Sequence, residues 1–294
     1  MAIDKHIDYF KDGQIVILRS TVYPGTTEKI QHYFYEKGKK VKVAFCPERI
    51  AQGYAIEELK DLPQIVSAFD EETLRGVSAL FQKITPAKII SAKPIEAELA
   101  KLFTNAWRYI RFAVANQFFM IAQGHNLNYR NIERAMKENY TRNKDLPSPG
   151  FAAGPCLLKD TMQLAAFTNN NFWLGHAAML VNEGLVNHII HNLKREHAES
   201  LKHKILGILG MAFKADSDDH RDSLSYKLRK IAHVECKSVL CTDPYIKDPN
   251  FHPLEYVLDK SDIIILAAPH QEYSFIDHKK YPDKHFIDIW NFWG

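Results

Sequence analysis

The chain has 294 residues, of which 46% are hydrophobic, so it can bury a sizeable core and form one to three domains. Its formal net charge of +3 gives no electrostatic basis for binding nucleic acid or an anionic membrane surface. No apolar run reaches the roughly 18 residues of a membrane span, the N-terminus lacks an apolar signal region, and the four cysteines form no CxxC pair. We therefore expect a cytoplasmic protein without a nucleic-acid, membrane or metal partner.

Strand-like and helical patterns alternate through the first 92 residues. Short apolar runs, typical of buried strands, lie at 14–18, 42–45, 64–68 and 87–91. Helical patterns lie between them at 26–38 and 71–83. This alternation predicts an open parallel sheet with helices on its faces, which is an α/β fold.

One long helix is predicted next. Pro94 stands where the first helical turn begins, and no further proline or glycine occurs before Gly124. Apolar residues recur between them at helical spacing, which predicts a helix of about 30 residues. The mean helix has about 11–12 residues, and helices as long as this one often connect domains or form dimer interfaces. We therefore expect a homodimer.

Helical patterns continue before a second α/β segment begins. Helices are predicted at 129–139, 159–168 and 172–199, with a loop rich in proline and glycine at 141–156. Strands are then predicted at 204–209, 238–242, 263–267 and 285–289, with a helix at 223–233. These elements predict a second, smaller doubly wound sheet.

The strongest chemical motif is the segment Pro149–Asp160, PGFAAGPCLLKD. Its glycines let the backbone approach a ligand closely, and the segment delivers Cys156 to the start of a helix. A helix N-terminus and the ammonium group of Lys159 both favour the nucleophilic thiolate form of a cysteine. Asp160 follows one turn later, where its carboxylate can orient a water or accept a proton. The alternative is a buried, inert cysteine beside a helix cap.

Two polar side chains of the long helix form a second candidate set. Lys101 and Asn105 are four residues apart, so they lie on one face of the helix. An ammonium and an amide on one face can both donate hydrogen bonds to a developing oxyanion. The alternative is an ordinary solvated helix surface.

Polar segments also follow the first two predicted strands. Ser20–Thr27, which contains Thr21, follows the first strand, and Glu48 and Arg49 follow the second. Ligands in open α/β sheets bind beyond the carboxyl ends of the strands, so these residues are candidates for a binding site. The alternative for both segments is turn formation and helix capping.

The first strand of the second sheet is followed by the loop Gly210–Arg221. Lys214 and Arg221 of this loop lie near a strand end and a predicted helix N-terminus, an arrangement that favours anion binding. The alternative is a solvated loop of mixed charge.

Taken in this order, these segments resemble the UDP-glucose/GDP-mannose dehydrogenase family from Asp12 to Asn291. Each motif is weak alone, but the ordered set is specific. The matching segments are Ser20–Thr27, Cys46–Gly53, the Glu98, Lys101 and Asn105 helix, the Gly154, Cys156 and Asp160 loop, Leu209–Ser223 and Asp243–Tyr245.

The resemblance implies oxidation of the C6 alcohol of a nucleotide-linked sugar to a carboxylate, with two NAD⁺. Cys156 would form a thiohemiacetal and then a thioester, which water hydrolyses. Lys101 and Asn105 would stabilise the oxyanions, while Asp160 and Glu48 would manage the water and its protons. The cofactor-facing residues implied are Thr21 and Lys159. The residues implied to contact the nucleotide sugar are Phe151, Gly154, Lys214, Arg49 and Arg221.

The resemblance also implies three domains. Residues 1–92 would be the C-terminal part of an NAD-binding Rossmann domain, 93–200 a central helical domain with the cysteine loop, and 201–294 a Rossmann-like domain that binds the nucleotide sugar. A UDP-sugar is favoured over a GDP-sugar, and glucose and N-acetylhexosamine derivatives all remain open. Trp290 stands where relatives often carry an arginine.

The Gly-x-Gly-x-x-Gly turn that opens the family's NAD-binding domain does not occur in this chain. We therefore expect a truncated Rossmann-like domain that lacks roughly 100 residues of βα units. This chain alone is expected to yield no NADH from UDP-sugars. One alternative is a redox-inactive module for nucleotide-sugar binding and dimerisation, and another is a cysteine enzyme of acyl transfer that never used NAD.

Overall fold

The computed structural model describes residues 3–51 and 53–293. The chain forms two compact units, one from residues 1–105 with 166–169, the other from 106–165 with 170–294. None of the described helices combines the length and the apolar character needed to cross a membrane.

The first unit contains a four-stranded sheet and its covering helices. The elements in chain order are β1 (Ile15–Leu18), α1 (Thr26–Glu36), β2 (Lys42–Phe45), α2 (Ala55–Asp61), β3 (Gln64–Ala68), α3 (Glu71–Ile84), β4 (Ile89–Ala92) and the start of α4 (Pro94–Gly124). The strand order is β1-β2-β3-β4. Local sequence sets several of these boundaries. For example, the side chain of Asp70 accepts a hydrogen bond from the Thr73 amide and caps α3.

The prediction of a parallel first sheet is wrong at one strand pair. β1 pairs with β2 and β3 with β4 in parallel, but β2 and β3 are antiparallel and meet only at their ends, with Phe45 opposite Ser67. Alternation of strands and helices does not determine direction, because direction depends on the sheet edge to which each connection returns.

The core of the first unit lies on both faces of β2. Val43 points into a cluster with Ile30 and Phe34 of α1. The next residue, Ala44, points into a cluster with Val77 and Phe81 of α3. Successive strand residues face opposite sides, so this one strand supports a core layer on each face of the sheet.

The second unit combines the remaining helices with the second sheet. Its elements are the rest of α4, α5 (Tyr129–Lys137), α6 (Leu157–Phe167), α7 (Trp173–His197), β5 (Ile205–Leu209), α8 (Leu224–Glu235), β6 (Ser238–Thr242), α9 (Leu254–Lys260), β7 (Ile263–Leu266) and β8 (His285–Asp288). The sheet order is β6-β5-β7-β8 and all its pairs are parallel, as predicted.

One apolar core joins the helices of the second unit to its sheet. Leu185 and Ile189 of α7 pack in the same cluster as Leu206 of β5 and Leu228 of α8. On the other sheet face, Val257 of α9 packs against β7. The strands predicted from the sequence are all present with ends shifted by at most about two residues. Among the α-helices of the described residues, the short helices α2 and α9 carry no prediction.

Candidate active site

Cys156 is the accessible thiol among the four cysteines. It is exposed, whereas Cys46, Cys236 and Cys241 are buried. Burial raises the pKa of each of these three thiols to about 11. The Cys156 carbonyl accepts a hydrogen bond from the Asp160 amide at 2.9 Å, so the exposed thiol stands at the N-terminus of α6. The alternative of a buried cysteine is therefore wrong for this position, and the reactivity of the thiol stays a prediction.

The first turn of α6, which follows Cys156 in the chain, contains an ion pair. Lys159 Nζ lies 3.3 Å from Asp160 Oδ1, and the Lys159 side chain is 60% exposed while that of Asp160 is 1% exposed. A carboxylate in the first turn interacts favourably with the partial positive charge of the helix N-terminus. The thiol, the ammonium and the carboxylate thus occupy one turn, as predicted from their spacing.

Two buried asparagines hold the loop that precedes Cys156. The Gly150 amide donates to Asn116 Oδ1 at 2.8 Å, and Asn116 Nδ2 donates to the Gly150 carbonyl at 3.0 Å. Asn116 Nδ2 also contacts Asn182 Oδ1 at 2.9 Å. The prediction did not include these residues. The sequence feature that indicates such residues is an asparagine on an otherwise apolar helix face, because a buried side-chain amide must be hydrogen-bonded.

Trp290 packs against Gly150. A Cβ atom on Gly150 would lie 2.3 Å from the indole ring, and the residue has a φ of +155°. The indole Nε1 donates to the Ala267 carbonyl at 3.1 Å and so fixes the ring. Trp290 therefore supports the cysteine loop in this chain. The neighbouring Phe151 is only 3% exposed and packs in the core, so only its backbone can face a ligand.

Gly150→Ala is expected to lower the free energy of unfolding by about 2–6 kcal/mol. Backbone strain costs about 1–3 kcal/mol and overpacking against the indole about 1–3 kcal/mol. Urea unfolding measures this, with Gly38→Ala as the control, because Gly38 also has a positive φ but open space around it. In the Trp290→Ala background the Gly150→Ala change should cost about 1–2 kcal/mol less. Additive costs would contradict a direct clash.

The loop 210–222 contacts the cysteine loop from the other side. The Gly154 amide donates to the Asp222 carbonyl at 3.4 Å, and Gly154, with φ +98°, leaves room for the Phe213 ring, which a Cβ would approach to 2.5 Å. The hydrogen bonds that the Arg221 guanidinium donates to Asp219 raise the pKa of Arg221, and the nearby Cys156 acts in the same direction. Arg221 therefore lies within electrostatic range of the thiol.

A cavity of about 410 Å³ opens beside these two loops. It is lined by Gly154, Lys159, Asp222, Tyr226, Lys227 and Lys230, among others. Three ammonium groups and a helix N-terminus form a donor set suited to a phosphate-bearing ligand, although Glu183 also lines the cavity and pairs with Lys227 at 3.2 Å. The predicted Lys214 lies half-buried in the loop 210–222.

A buried aspartate organises the loops at the carboxyl end of the second sheet. Asp243 Oδ2 accepts from the Met211 amide at 2.7 Å, from the Ala212 amide at 3.1 Å and from His270 Nε2 at 3.1 Å. Burial alone would raise the pKa of Asp243, but these hydrogen bonds outweigh it and lower the pKa. His270 was not predicted, because nothing in its local sequence marks it as the partner of a residue 27 positions earlier.

In the first unit, Glu48 is held at the carboxyl edge of the sheet. Its carboxylate forms an ion pair with Arg19 and accepts hydrogen bonds from the amides of Arg49 and Ile50 at 2.8 and 3.0 Å. The Arg19 guanidinium also lies 4.9 Å from the Phe81 ring centroid. Arg19 was not predicted, although its place at the end of β1 is a usable signal. The Arg49 guanidinium donates to the Pro63 carbonyl, so it is engaged within the unit.

The start of α4 carries the other predicted residues of this unit. Glu98 is 1% exposed, and its carboxylate accepts from the amides of Gly25 and Thr27 at 2.6 and 2.8 Å. It therefore fills the N-terminus of α1. Lys101 is half-buried and Asn105 is 4% exposed, so Asn105 is not part of a solvated surface. Thr21 is half-buried in the loop after β1.

Sequence models of one family match three segments of the chain. Residues 1–85 match the NAD binding domain of the UDP-glucose/GDP-mannose dehydrogenase family, 95–184 its central domain and 207–294 its UDP binding domain. The cysteine loop lies in the central match, and the loop 210–222 lies in the UDP binding match.

Comparison of the chain with individual known proteins gives the same family. UDP-N-acetyl-D-mannosamine dehydrogenase of Pyrococcus horikoshii is 29% identical over 279 residues, covering 90% of this chain and 65% of the relative. A solved UDP-D-ManNAc dehydrogenase structure from Pyrococcus horikoshii superposes with a TM-score of 0.86 at 27% identity, covering 98% of this chain and 71% of that one. For NDP-N-acetyl-D-galactosaminuronic acid dehydrogenase of Methanosarcina mazei Go1 the TM-score is 0.81 at 25% identity, with coverages of 95% and 66%.

The chain thus spans about two thirds of the length of the curated relatives it matches, 65% and 64% for two of them. Within that span, the ordered motifs, the fold and the three sequence matches agree. The chain belongs to the UDP-glucose/GDP-mannose dehydrogenase family.

Proposed function

We propose that this chain contains the active-site residues that oxidise the C6 alcohol of a nucleotide-linked sugar to a carboxylate, with NAD as cofactor. The observation that carries the proposal is the exposed Cys156 thiol at the N-terminus of α6, within the segment matched by the family's central domain. The names of the relatives support a UDP-linked N-acetylhexosamine as the substrate. We further propose that the product is a precursor for polysaccharide synthesis.

The proposed chemistry uses Cys156 to retain the aldehyde that the first oxidation produces. The thiolate sulfur attacks the aldehyde carbon, a C–S bond forms, and the oxygen takes up a proton to give a thiohemiacetal. The second oxidation removes a hydride and a proton and leaves a thioester. Water then adds, the C–S bond breaks, and the sulfur leaves as a thiolate with the carboxylate as product. NAD⁺, when bound, accepts the hydride in each oxidation.

The other predicted residues support these steps. Lys101 and Asn105 donate to the oxyanions, and the burial of Asn105 keeps water from competing for its amide. Asp160 and Glu48 orient the water and receive its protons, while Arg19 holds the Glu48 carboxylate in one position.

We assign the ligand-binding roles from the hydrogen-bond donors and charged groups that lie within each unit. Lys159 and the neighbouring lysines of the cavity suit the phosphates of a nucleotide, and Thr21 faces the cofactor from the carboxyl edge of β1. In the first unit the Glu98 carboxylate already occupies the N-terminus of α1, so that helix end is not free to bind a phosphate of the cofactor. The nucleotide-sugar contacts that we propose are Gly154, Lys214, Arg221, the Phe151 backbone and, more weakly, Arg49.

The three-domain division also remains part of this proposal. Residues 1–92 would serve the cofactor, 93–200 the chemistry and 201–294 the nucleotide sugar, and the ranges of the three family matches support this division. Four free cysteines support a reducing compartment, for which we propose the cytoplasm.

We also propose that two copies associate through α4. Trp107, Val114, Phe118 and Ile121 are all exposed large apolar residues. Their spacings of seven, four and three residues place them in one stripe along the helix. A stripe of this kind on a long helix is self-complementary, so a second copy of this chain is the occupant we propose.

Phe118→Glu with Ile121→Glu is expected to convert a dimer into a monomer, because four charges would face one another across the interface. Light scattering coupled to gel filtration measures the mass, and the dimer should weaken at least about tenfold. Val234→Glu is the matched control, because Val234 is 77% exposed on α8. A monomeric wild-type chain, or a double variant that stays dimeric, would contradict this interface.

A second candidate function is a redox-inactive module that binds nucleotide sugars. The observation that favours it is the lysine-lined cavity of the second unit, which suits a phosphate-bearing ligand and involves no residue of the segment matched by the NAD binding domain. Calorimetry with UDP-N-acetylmannosamine and UDP-N-acetylgalactosamine, and absorbance of NADH with NAD⁺ added, separate the two functions. NADH production supports the dehydrogenase, sugar-nucleotide binding without NADH supports the module, and absence of binding overturns both.

A further inference from the structure

A histidine and carboxylate cluster lies in the second unit, formed by residues that the proposed chemistry does not use. Glu196 and His197 end α7, and His285 begins β8. One ligand atom from each residue lies within 4.8 Å of the others. His197 Nε2 is 3.3 Å from His285 Nδ1, and His285 Nδ1 is 3.7 Å from Glu196 Oε2. The chain therefore brings two imidazoles and a carboxylate together from positions almost 90 residues apart.

The separation of the two imidazole nitrogens matches that of two ligands around a tetrahedral metal ion, and the carboxylate oxygen lies slightly further out, 3.7 Å from His285 Nδ1. Zinc–nitrogen bonds of about 2.0–2.1 Å at tetrahedral angles place two ligand nitrogens about 3.3–3.4 Å apart. The two imidazole nitrogens of the cluster are 3.3 Å apart. Two imidazoles with one carboxylate are also a ligand set that Zn²⁺ accepts, with a fourth position left for water.

The surroundings favour a cation at this point. The cluster stands at the C-terminal end of the 25-residue helix α7, where the helix dipole is negative. A cavity of about 40 Å³, lined by Glu196 and His285 together with Gln123 and Asn192, adjoins the cluster. That space accommodates a water, and the amide side chains supply its hydrogen-bond partners.

We propose that Glu196, His197 and His285 bind one Zn²⁺ ion, with a water as the fourth ligand. The ion would connect the end of α7 to the start of β8, and so tie the helices of the second unit to its sheet. The spacing of the ligands along the chain does not follow a zinc motif, which is why the sequence alone indicates no metal.

Zinc titration of the metal-free full-length chain by calorimetry tests this proposal. The titrations use the Cys156→Ser background, so that the exposed thiol does not bind zinc. The parent should bind one Zn²⁺ per chain, and His197→Gln and His285→Gln should each bind at least tenfold more weakly. His191→Gln is the matched control, because His191 is exposed on the same helix. It should bind zinc like the parent.

Thermal unfolding supplies a second measurement that does not depend on the calorimetric signal. Zinc should raise the unfolding temperature of the parent and of His191→Gln, but not that of the two cluster variants. The variants should unfold at the parent temperature when no metal is present. Absence of 1:1 binding by the parent, or equal binding by His197→Gln and His285→Gln, would overturn the proposal. No substrate is present, so failure here leaves the proposed dehydrogenase chemistry untouched.

Discussion

In any form of the protein that produces uronate, Cys156→Ser is expected to slow that reaction at least about a thousandfold, as the loss of a covalent nucleophile does in other enzymes. A serine hydroxyl is far less acidic than a thiol, so it does not attack the aldehyde efficiently and gives no thioester. The dissociation constant of a UDP-sugar should change less than about threefold, because the change replaces one atom. Mass spectrometry of the products measures the first effect and calorimetry the second.

The same variant has a readout that needs no turnover. Iodoacetamide at pH 8 should alkylate one cysteine per wild-type chain, and none in Cys156→Ser over the same time. Cys241→Ser is the control, because burial raises the pKa of the Cys241 thiol to about 11 and shields it. It should be alkylated once, like wild type. Fast alkylation of two or more cysteines, or labelling that persists in Cys156→Ser, would remove the basis for choosing Cys156.

Asp243→Ala is expected to lower the free energy of unfolding by about 3–5 kcal/mol, the range for removing one member of a buried polar pair. The change would leave His270 Nε2 and the amides of Met211 and Ala212 without an acceptor in a closed site. Both Asp243 and His270 are fully buried, so water does not replace the lost oxygen atoms. Urea unfolding measures the change, and Asp283→Asn on the surface should cost less than about 0.5 kcal/mol.

Asp243→Asn removes the charge of this side chain but keeps its shape, so it isolates the contribution of the charge to the free energy of unfolding. The folded pKa of Asp243 is lowered, so its stabilisation is present above the unfolded pKa of about 3.9 and is lost as pH falls through the folded pKa. Wild type should therefore lose more stability than Asp243→Asn between pH 5 and about pH 3. Identical acid profiles of the two proteins would show that the carboxylate is not held ionised by its partners.

His270 has a defined tautomer in this arrangement. Its Nδ1 accepts a hydrogen bond from the Asp216 amide at 2.9 Å, so the ring proton lies on Nε2 and is donated to Asp243. The pair therefore links the loops that follow β5, β6 and β7. One of these is the loop 210–222, which contacts the cysteine loop at Gly154.

The candidate site could be predicted where its residues are neighbours along the chain. Cys156, Lys159 and Asp160 fall in one helical turn, and the glycine and proline signals before them mark the loop. Glu48 was placed correctly at the end of β2 by the rule for strand ends. Phe151 is predicted to contact the nucleotide sugar, and the structure adds that its side chain packs in the core, because its neighbours come from elements far along the chain.

Supporting residues were not predictable in this way. Contacts with partners 27 to 34 positions away along the chain are made by Arg19, Asn116 and His270. In the sequence, Trp290 indicates only that an arginine found in relatives is replaced. In the structure its indole ring packs against Gly150, which lies far earlier in the chain. Such contacts arise only when the elements have packed, so no local pattern encodes them.

The sequence by itself determined the order, type and approximate ends of the main strands and helices, since apolar periodicity and capping act between near neighbours. It also identified the family through motifs that are short and ordered. Only the tertiary structure decided the antiparallel pairing of β2 with β3, the burial of three thiols and the exposure of the fourth, and the meeting of Glu196 and His197 with His285. These features depend on how distant segments pack, and packing is a property of the whole chain.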